Sequence, residues 1–330
     1  MSALQTEPDV TFVIAAYKAA DTIVAAIDSA LAQENVALEV VVVDDCSPDE
    51  TRAVVQAVTE RDPRVKLIAL DSNLGPGGAR NAGIDAAQGR WIAVLDSDDM
   101  VYPERMAQMI VRAEKANADI AVDNLDVVYS DGRPRETMFE PAFLQARRLL
   151  TLEDFIRSNV LFKSTFNFGY VKPIFRRDFL NDHGLRFRQD LRIGEDYLLL
   201  ASALASGASC VIEPMPGYVY HIRQGSISRV LELHHVDAMI AADKEFLRQY
   251  ALLPAAMDAQ AERTRSLIQA RHFLMLVESI KRRSVSDTIR IALRDPAAIK
   301  HLRMPISIRL QKLKKTLLPS ALSSATPARN

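Results

Sequence analysis

The run Val94-Leu95-Asp96-Ser97-Asp98-Asp99 ends an apolar segment in closely spaced carboxylates. Like charges gathered this way repel one another unless a cation offsets them. Hard carboxylate oxygens suit Mg²⁺ or Mn²⁺, ions that often join a protein to the phosphates of a substrate. In an open α/β sheet, ligands bind at the carboxyl ends of the strands, which is where this run falls if Trp91 to Leu95 is a strand. Alternation along an extended ending puts Asp96 and Asp98 on one side and Ser97 on the other. A solvated acidic turn ahead of a helix starting near Pro103 accounts for the same residues without chemistry, and at this point both readings stand.

Further acidic and glycine-rich segments recur along the chain. Asp44 and Asp45 follow Val40-Val41-Val42-Val43, and Gly194-Glu195-Asp196 precedes the helical Tyr197-Leu198-Leu199-Leu200. Each pair can cap a turn or helix, or serve a ligand. Between them, Asn73-Leu74-Gly75-Pro76-Gly77-Gly78-Ala79-Arg80-Asn81-Ala82-Gly83 is a turn rich in small residues that enters a helix. Such a turn permits close backbone approach, and helix-terminal amides favour anions. It lacks the Walker lysine and the dinucleotide-binding glycine spacing, which weakens a kinase or dehydrogenase reading.

Short apolar runs position these residues. Val10 to Ala16, Leu38 to Val43, Val65 to Leu70, Trp91 to Leu95 and Ile120 to Val128 read as strands alternating with helices. Asp21 is placed to cap a helix carrying Ile23, Ile27 and Leu31, and Asp49 precedes one carrying Val54, Val55 and Val58. Four successive valines suit a central parallel strand buried on both faces. The first half therefore reads as a doubly wound α/β domain. Beyond Tyr129 the alternation breaks down. Val171 to Phe175, Cys210 to Ile212 and Gly217 to His221 read as strands, Glu195 to Ser206 as a helix, and Glu232 to Tyr250 and Pro254 to Arg283 as long helices.

The 330 residues, 48% hydrophobic and 25% charged, suffice for one large or two modest globular domains. A net charge of -1 argues against a field for binding nucleic acid. Cys46 and Cys210 form neither a disulfide framework nor a zinc spacing, which fits a reducing cytoplasm. No cationic signal region opens the chain, and no run approaches the roughly 18 apolar residues of a membrane span. From Arg282 onward, cations such as Arg283, Arg290, Arg294, Lys312 and Lys315 are interleaved with Ile308, Leu310, Leu313 and Leu317. That pattern suits a helix lying on an anionic membrane surface, or equally one packed on the rest of the protein or on another copy.

Taken in order, Ala15-Ala16-Tyr17, Val43-Asp44-Asp45-Cys46-Ser47, Gly75 to Gly83, Asp96-Ser97-Asp98-Asp99 and Gly194-Glu195-Asp196 resemble the family 2 glycosyltransferases of the GT-A fold, bacterial exopolysaccharide enzymes among them. The resemblance covers roughly residues 8 to 225 and is carried by the combination of motifs rather than any one. It implies a GT-A catalytic domain over 1–225, divided into a nucleotide-binding half (1–130) and an acceptor-side half (131–225), with a helical extension over 226–330. It also implies transfer of a sugar from a UDP-sugar, UDP-glucose first, to an acceptor hydroxyl with inversion, assisted by Mn²⁺ or Mg²⁺. The acceptor is a saccharide or lipid-linked saccharide, and the setting is cytoplasmic or peripheral at the inner face of the plasma membrane.

The resemblance assigns roles residue by residue. Asp45 would meet the base, with Asp44, Ala15, Ala16 and Tyr17 around the same pocket; the alanines replace the proline or threonine often found there. Arg80 would face the nucleotide or its diphosphate. Asp96 would meet ribose or sugar, and Asp98 would lead the metal ligands, with Asp99 beside it or behind it. Asp196 would be the base, with Glu195 as the alternative. His221, Arg223 and Ser226 would belong to a loop over the phosphates, His221 also as a metal ligand. Asp123 and Lys172 would lie on the acceptor side. Two other readings stay open: a sugar-phosphate nucleotidyltransferase, which releases pyrophosphate, and a non-catalytic sugar-nucleotide-binding scaffold.

Overall fold

A computed structural model describes residues 7–164, 166–222 and 231–301. The first elements are β1 (Val10–Ala16), α1 (Ile23–Leu31), β2 (Leu38–Asp44), α2 (Thr51–Arg61), β3 (Val65–Ala69), α3 (Gly75–Ala86), β4 (Trp91–Val94), β5 (Met100–Val101) and α4 (Arg105–Lys115). Next come β6 (Ile120–Tyr129), β7 (Glu136–Thr137), α5 (Pro141–Gln145), α6 (Leu152–Ser158), β8 (Ile174–Arg176), α7 (Arg177–Asp182), α8 (Glu195–Ala205) and β9 (Cys210–Ile222). Four helices follow: α9 (Leu233–Gln249), α10 (Pro254–Lys281), α11 (Val285–Arg294) and α12 (Pro296–His301).

The strands form one mixed sheet in the order β3-β2-β1-β4-β8-β6-β9-β5, with β7 on β6. Neighbours from β3 to β4 are parallel, β8 enters antiparallel between β4 and β6, and β6 and β9 are parallel. Every residue of β2 is buried, as expected of a strand covered on both faces. The expected break between Cys210 to Ile212 and Gly217 to His221 is instead one strand. Its pairing with β6 slips near Asn124, so Pro214 to Pro216 are accommodated by a bulge rather than a strand end. At β8 the strand starts later than expected, after Pro173, which has no N–H for a ladder.

Helix entries carry structural information of their own. Asp21 does not cap α1; the cap is Thr22, whose hydroxyl donates to the Ser97 carbonyl at 2.7 Å and ties the helix start to the acidic run. Helix α3 begins at Gly75, whose φ of +76° favours glycine. At Gly83 a Cβ would fall 2.4 Å from Val13 Cγ1, so only glycine lets this helix approach β1 so closely.

The chain divides into two compact units between Thr264 and Arg265. The first unit runs past residue 225: Ala242 and Phe246 of α9 and Ala259 of α10 belong to its core. In the second unit, Ser279 and Thr288 share a 3.0 Å hydrogen bond between α10 and α11, and His272 Nδ1 lies 2.8 Å from Asp295. Among the described residues, no helix is long and apolar enough to cross a membrane.

Candidate active site

Parallel pairing brings the ends of β1, β2 and β4 to one level: Ala16 pairs with Asp44, and the Leu95 amide donates to the Val13 carbonyl at 3.1 Å. This is the edge where an open α/β sheet offers a crevice. Ala15 is half-buried and Ala16 buried, while Tyr17 stands 45% exposed on the rim. Asp44 is buried and accepts from the Ser47 amide at 3.3 Å.

Asp45 is committed to the loop leading into α3. Its carboxylate accepts from the amides of Leu74 at 2.6 Å and Gly75 at 2.9 Å, and its carbonyl accepts from Asn73 Nδ2 at 3.0 Å. Burial raises its pKa, against those amide bonds. Asp45, expected to meet the base, thus shapes the glycine-rich turn, and any ligand contact would be additional to the two bonds its carboxylate already accepts. Beside this turn stands a residue that the sequence reading missed. Arg192 is exposed, its guanidinium lies where a Cβ on Gly75 would meet it at 3.2 Å, and its Nη2 donates to Asn73 Oδ1 at 3.5 Å. The available signal was a cation three positions ahead of Glu195.

At the centre, two cations gather three carboxylates from distant parts of the chain. Arg80 Nη1 donates to Glu195 at 2.9 Å and to Asp196 at 2.8 Å, while Nη2 donates to Asp96 at 2.8 Å. Lys172 Nζ reaches Asp96 at 2.6 Å and Asp196 at 3.3 Å. Burial alone would favour the neutral forms, but the opposite charges outweigh it: Asp96 is held below the usual carboxylate range and Lys172 above the usual ammonium range. Glu195 goes the other way. Burial, with the charge of Asp196 adding to it, pushes its pKa up to about 7 despite Arg80. The two adjacent acids also differ in access, since the Asp196 side chain is 31% exposed and that of Glu195 is 10%.

The acidic run separates its members. Tyr218 Oη donates to Asp99 at 2.8 Å and accepts from the Asp96 amide at 3.2 Å, so one phenol spans the turn. Asp99 is buried and also accepts from the His221 amide at 2.7 Å; burial raises its pKa, with the Asp96 charge adding to the effect. Asp98 is half-buried. Among the described residues, His221 Nδ1 is buried without a hydrogen-bond partner, 3.6 Å from Asp99 Oδ1. No group of three His, Cys, Asp or Glu side chains able to hold a metal exists among the described residues. A buried imidazole nitrogen without a hydrogen-bond partner, close to the Asp99 carboxylate, could serve as one ligand to a divalent ion, which would supply positive charge beside a substrate's phosphates.

Asp123 is not in this cluster. Fully buried, it makes a two-pronged ion pair with Arg105 at 2.7 and 2.9 Å. Arg105 also donates to the backbone carbonyl of Lys172 at 2.6 Å, so the pair supports the lysine from behind instead of facing an acceptor. Gly217 is needed here, because a Cβ would fall 2.4 Å from Asp123 Oδ2. Arg223 and Ser226 lie outside the described residues.

Comparison with known proteins adds to the geometry. The family model described as Glycosyl transferase family 2 matches residues 11–184. The chain is 60% identical to the succinoglycan biosynthesis protein ExoO of Rhizobium meliloti (strain 1021) over 326 residues, covering 99% of this chain and 93% of that protein. Similarity to ExoU of the same strain, also a succinoglycan biosynthesis protein, is 34% over 81% of this chain and 79% of that one. Among solved structures, residues 1–349 of S. aureus TarS in complex with UDP superpose with a TM-score of 0.61 at 19% identity, covering 87% of this chain and 91% of that one. The mannosyltransferase PcManGT from Pyrobaculum calidifontis, in complex with GDP-Man and Mn²⁺, gives 0.59 at 18% identity, covering 95% and 84%. These structural likenesses are likenesses of fold, the curled and mostly parallel GT-A sheet with its helices.

Proposed function

The chain belongs to glycosyl transferase family 2 and is a transferase enzyme, and on that premise we propose that it moves a sugar from a UDP-sugar, UDP-glucose first, to an acceptor hydroxyl with inversion. The acceptor in this reading is a saccharide or lipid-linked saccharide in exopolysaccharide assembly, handled at the cytoplasmic side of a membrane. ExoO and ExoU, named for succinoglycan biosynthesis, support the pathway class. The observation that carries the chemistry is the placing of Asp96, Glu195 and Asp196 around Arg80 and Lys172 at the ends of the central strands.

Asp196 is the proposed base. It is the more open of the two adjacent acids, its side chain 31% exposed against 10% for Glu195, which leaves it the better placed to meet an acceptor hydroxyl. The acceptor oxygen attacks the anomeric carbon opposite the leaving group, its proton passes to Asp196, and the sugar–phosphate C–O bond breaks. The nucleoside diphosphate departs with the electron pair. Glu195, mostly buried on the same Arg80 nitrogen, keeps that guanidinium aimed at Asp196. Asp98 and His221 would hold Mn²⁺ or Mg²⁺, with Asp99 fixing the His221 backbone. Such an ion supplies charge neutralisation at the departing diphosphate.

The test is a donor panel with and without Mn²⁺, reading both UDP release and sugar incorporation. Metal-dependent release of UDP with a glycosylated product supports the reading. Release of pyrophosphate from a nucleoside triphosphate and a sugar phosphate would replace it with nucleotidyl transfer, and binding without turnover would leave a scaffold.

A further inference from the structure

Helix α11 carries no buried residue over its whole length. Its inner side is fixed to α10 by the Ser279–Thr288 hydrogen bond, and Ser284 donates to Asp287 at 2.8 Å at the helix start. On the outer side, Val285, Ile289 and Leu293 recur every fourth residue and stand 70%, 54% and 77% exposed. That spacing stacks them in one stripe. One position further along, Ser286, Arg290 and Arg294 form a second exposed stripe beside the first. Ile280 and Ile299 of the same unit are also exposed, and exposed Lys281, Arg282 and Arg283 lie just before the helix.

Scattered exposed apolar residues need no explanation, but an ordered stripe of large ones flanked by arginines does. We infer that α11 lies in the plane of an anionic membrane surface, with Val285, Ile289 and Leu293 entering the interface and Arg290 and Arg294 meeting lipid phosphates. This deepens the reading of a membrane-borne acceptor, since it names the residues that hold the enzyme beside that acceptor. Charge decides among occupants. A second copy packed on this face would set arginines against arginines. The chain beyond His301 carries Arg303, Arg309, Lys312, Lys314, Lys315 and Arg329 and no acidic residue, so it too would repel the stripe. An anionic bilayer answers both the cations and the apolar side chains.

The experiment is sedimentation of the full chain with vesicles of phosphatidylcholine alone or of equimolar phosphatidylcholine and phosphatidylglycerol. Wild-type protein sediments with the anionic vesicles, and salt weakens that binding. Ile289→Ser with Leu293→Ser, and separately Arg290→Glu with Arg294→Glu, each reduce it by about tenfold or more, because both apolar entry and charge attraction contribute. All these side chains are exposed, so circular dichroism and melting temperature stay at wild-type values. Wild-type sedimentation by both double variants overturns the inference, and so does a dimer in solution that Ile289→Ser with Leu293→Ser dissolves. Vesicle binding requires no sugar transfer, so failure here is distinct from failure of the catalytic reading.

Discussion

Arg80 meets Asp196 through the same nitrogen, Nη1, that it offers to Glu195, at 2.8 and 2.9 Å. A residue from the glycine-rich entry of α3 is thereby joined to the start of α8, more than a hundred positions later. Both acids share one buried cation, which makes that arginine a structural centre of the cluster.

Arg80→Met removes the cation and leaves three neighbouring carboxylates without it. Breaking a buried ion pair from one side costs about 3 to 5 kcal/mol, so a clear fall in melting temperature and in chemical-denaturation midpoint is expected. A wild-type midpoint would mean that Lys172 alone holds the cluster.

Asp196→Asn preserves shape and removes the proposed proton acceptor. Transfer should fall by roughly 10²- to 10⁴-fold, the usual contribution of a general base, while nucleotide-sugar affinity measured by calorimetry stays near wild type. Glu195→Gln should cost less. If the two effects were reversed, the base would be Glu195.

Glu195 also predicts a pH effect. Its carboxyl pKa rises from 4.5 to about 7 in the folded protein, so between those values the folded state holds more protons than the unfolded state. This contribution to stability is fully present below 4.5 and is lost as pH rises through about 7. Melting temperature followed from pH 4.5 to 7 should show that loss, and Glu195→Gln should flatten it relative to wild type.

Stripping divalent ions with a chelator should abolish transfer, and added Mn²⁺ should restore it. Asp98→Ala should raise the Mn²⁺ concentration needed by about tenfold or more, since even residues behind a metal ligand are typically worth 10- to 100-fold in affinity. Full activity in chelator would remove the ion from the mechanism.

The Arg105–Asp123 pair separates support from contact. Arg105→Met alone should destabilise by about 3 to 5 kcal/mol, and adding Asp123→Leu should recover much of that, because an apolar pair can replace a buried ionic one. Calorimetry should find donor affinity unchanged in the double variant. A large loss of affinity without loss of stability would return Asp123 to the binding site.

The elements around the site were legible where local pattern decides structure. Val40 to Val43 suit a strand covered on both faces better than an edge strand, and the start of α8 follows from Gly194 and the apolar run after Asp196. Pairings made by the sheet's crossovers were not legible. Nothing near Asp123 announces Arg105, and nothing near Asp99 announces Tyr218, since each partner arrives from another strand or helix. The same limit applied to Asp45, whose carboxylate looks available in sequence until the loop at Leu74 and Gly75 folds onto it. Met100 and Val101 form a strand only because β9 offers them an edge, a pairing that no local signal encodes.

The long strand β9 sets Glu213 against Asp123 before its bulge and continues to Tyr218 and His221 beyond it. Removing a single residue from Pro214 to Pro216 would turn the following side chains to the opposite face of the ribbon. The phenol that braces the acidic turn and the imidazole at its edge would swing away together, so a kink of two prolines and a methionine acts as the ruler by which the far end of the strand finds its partners.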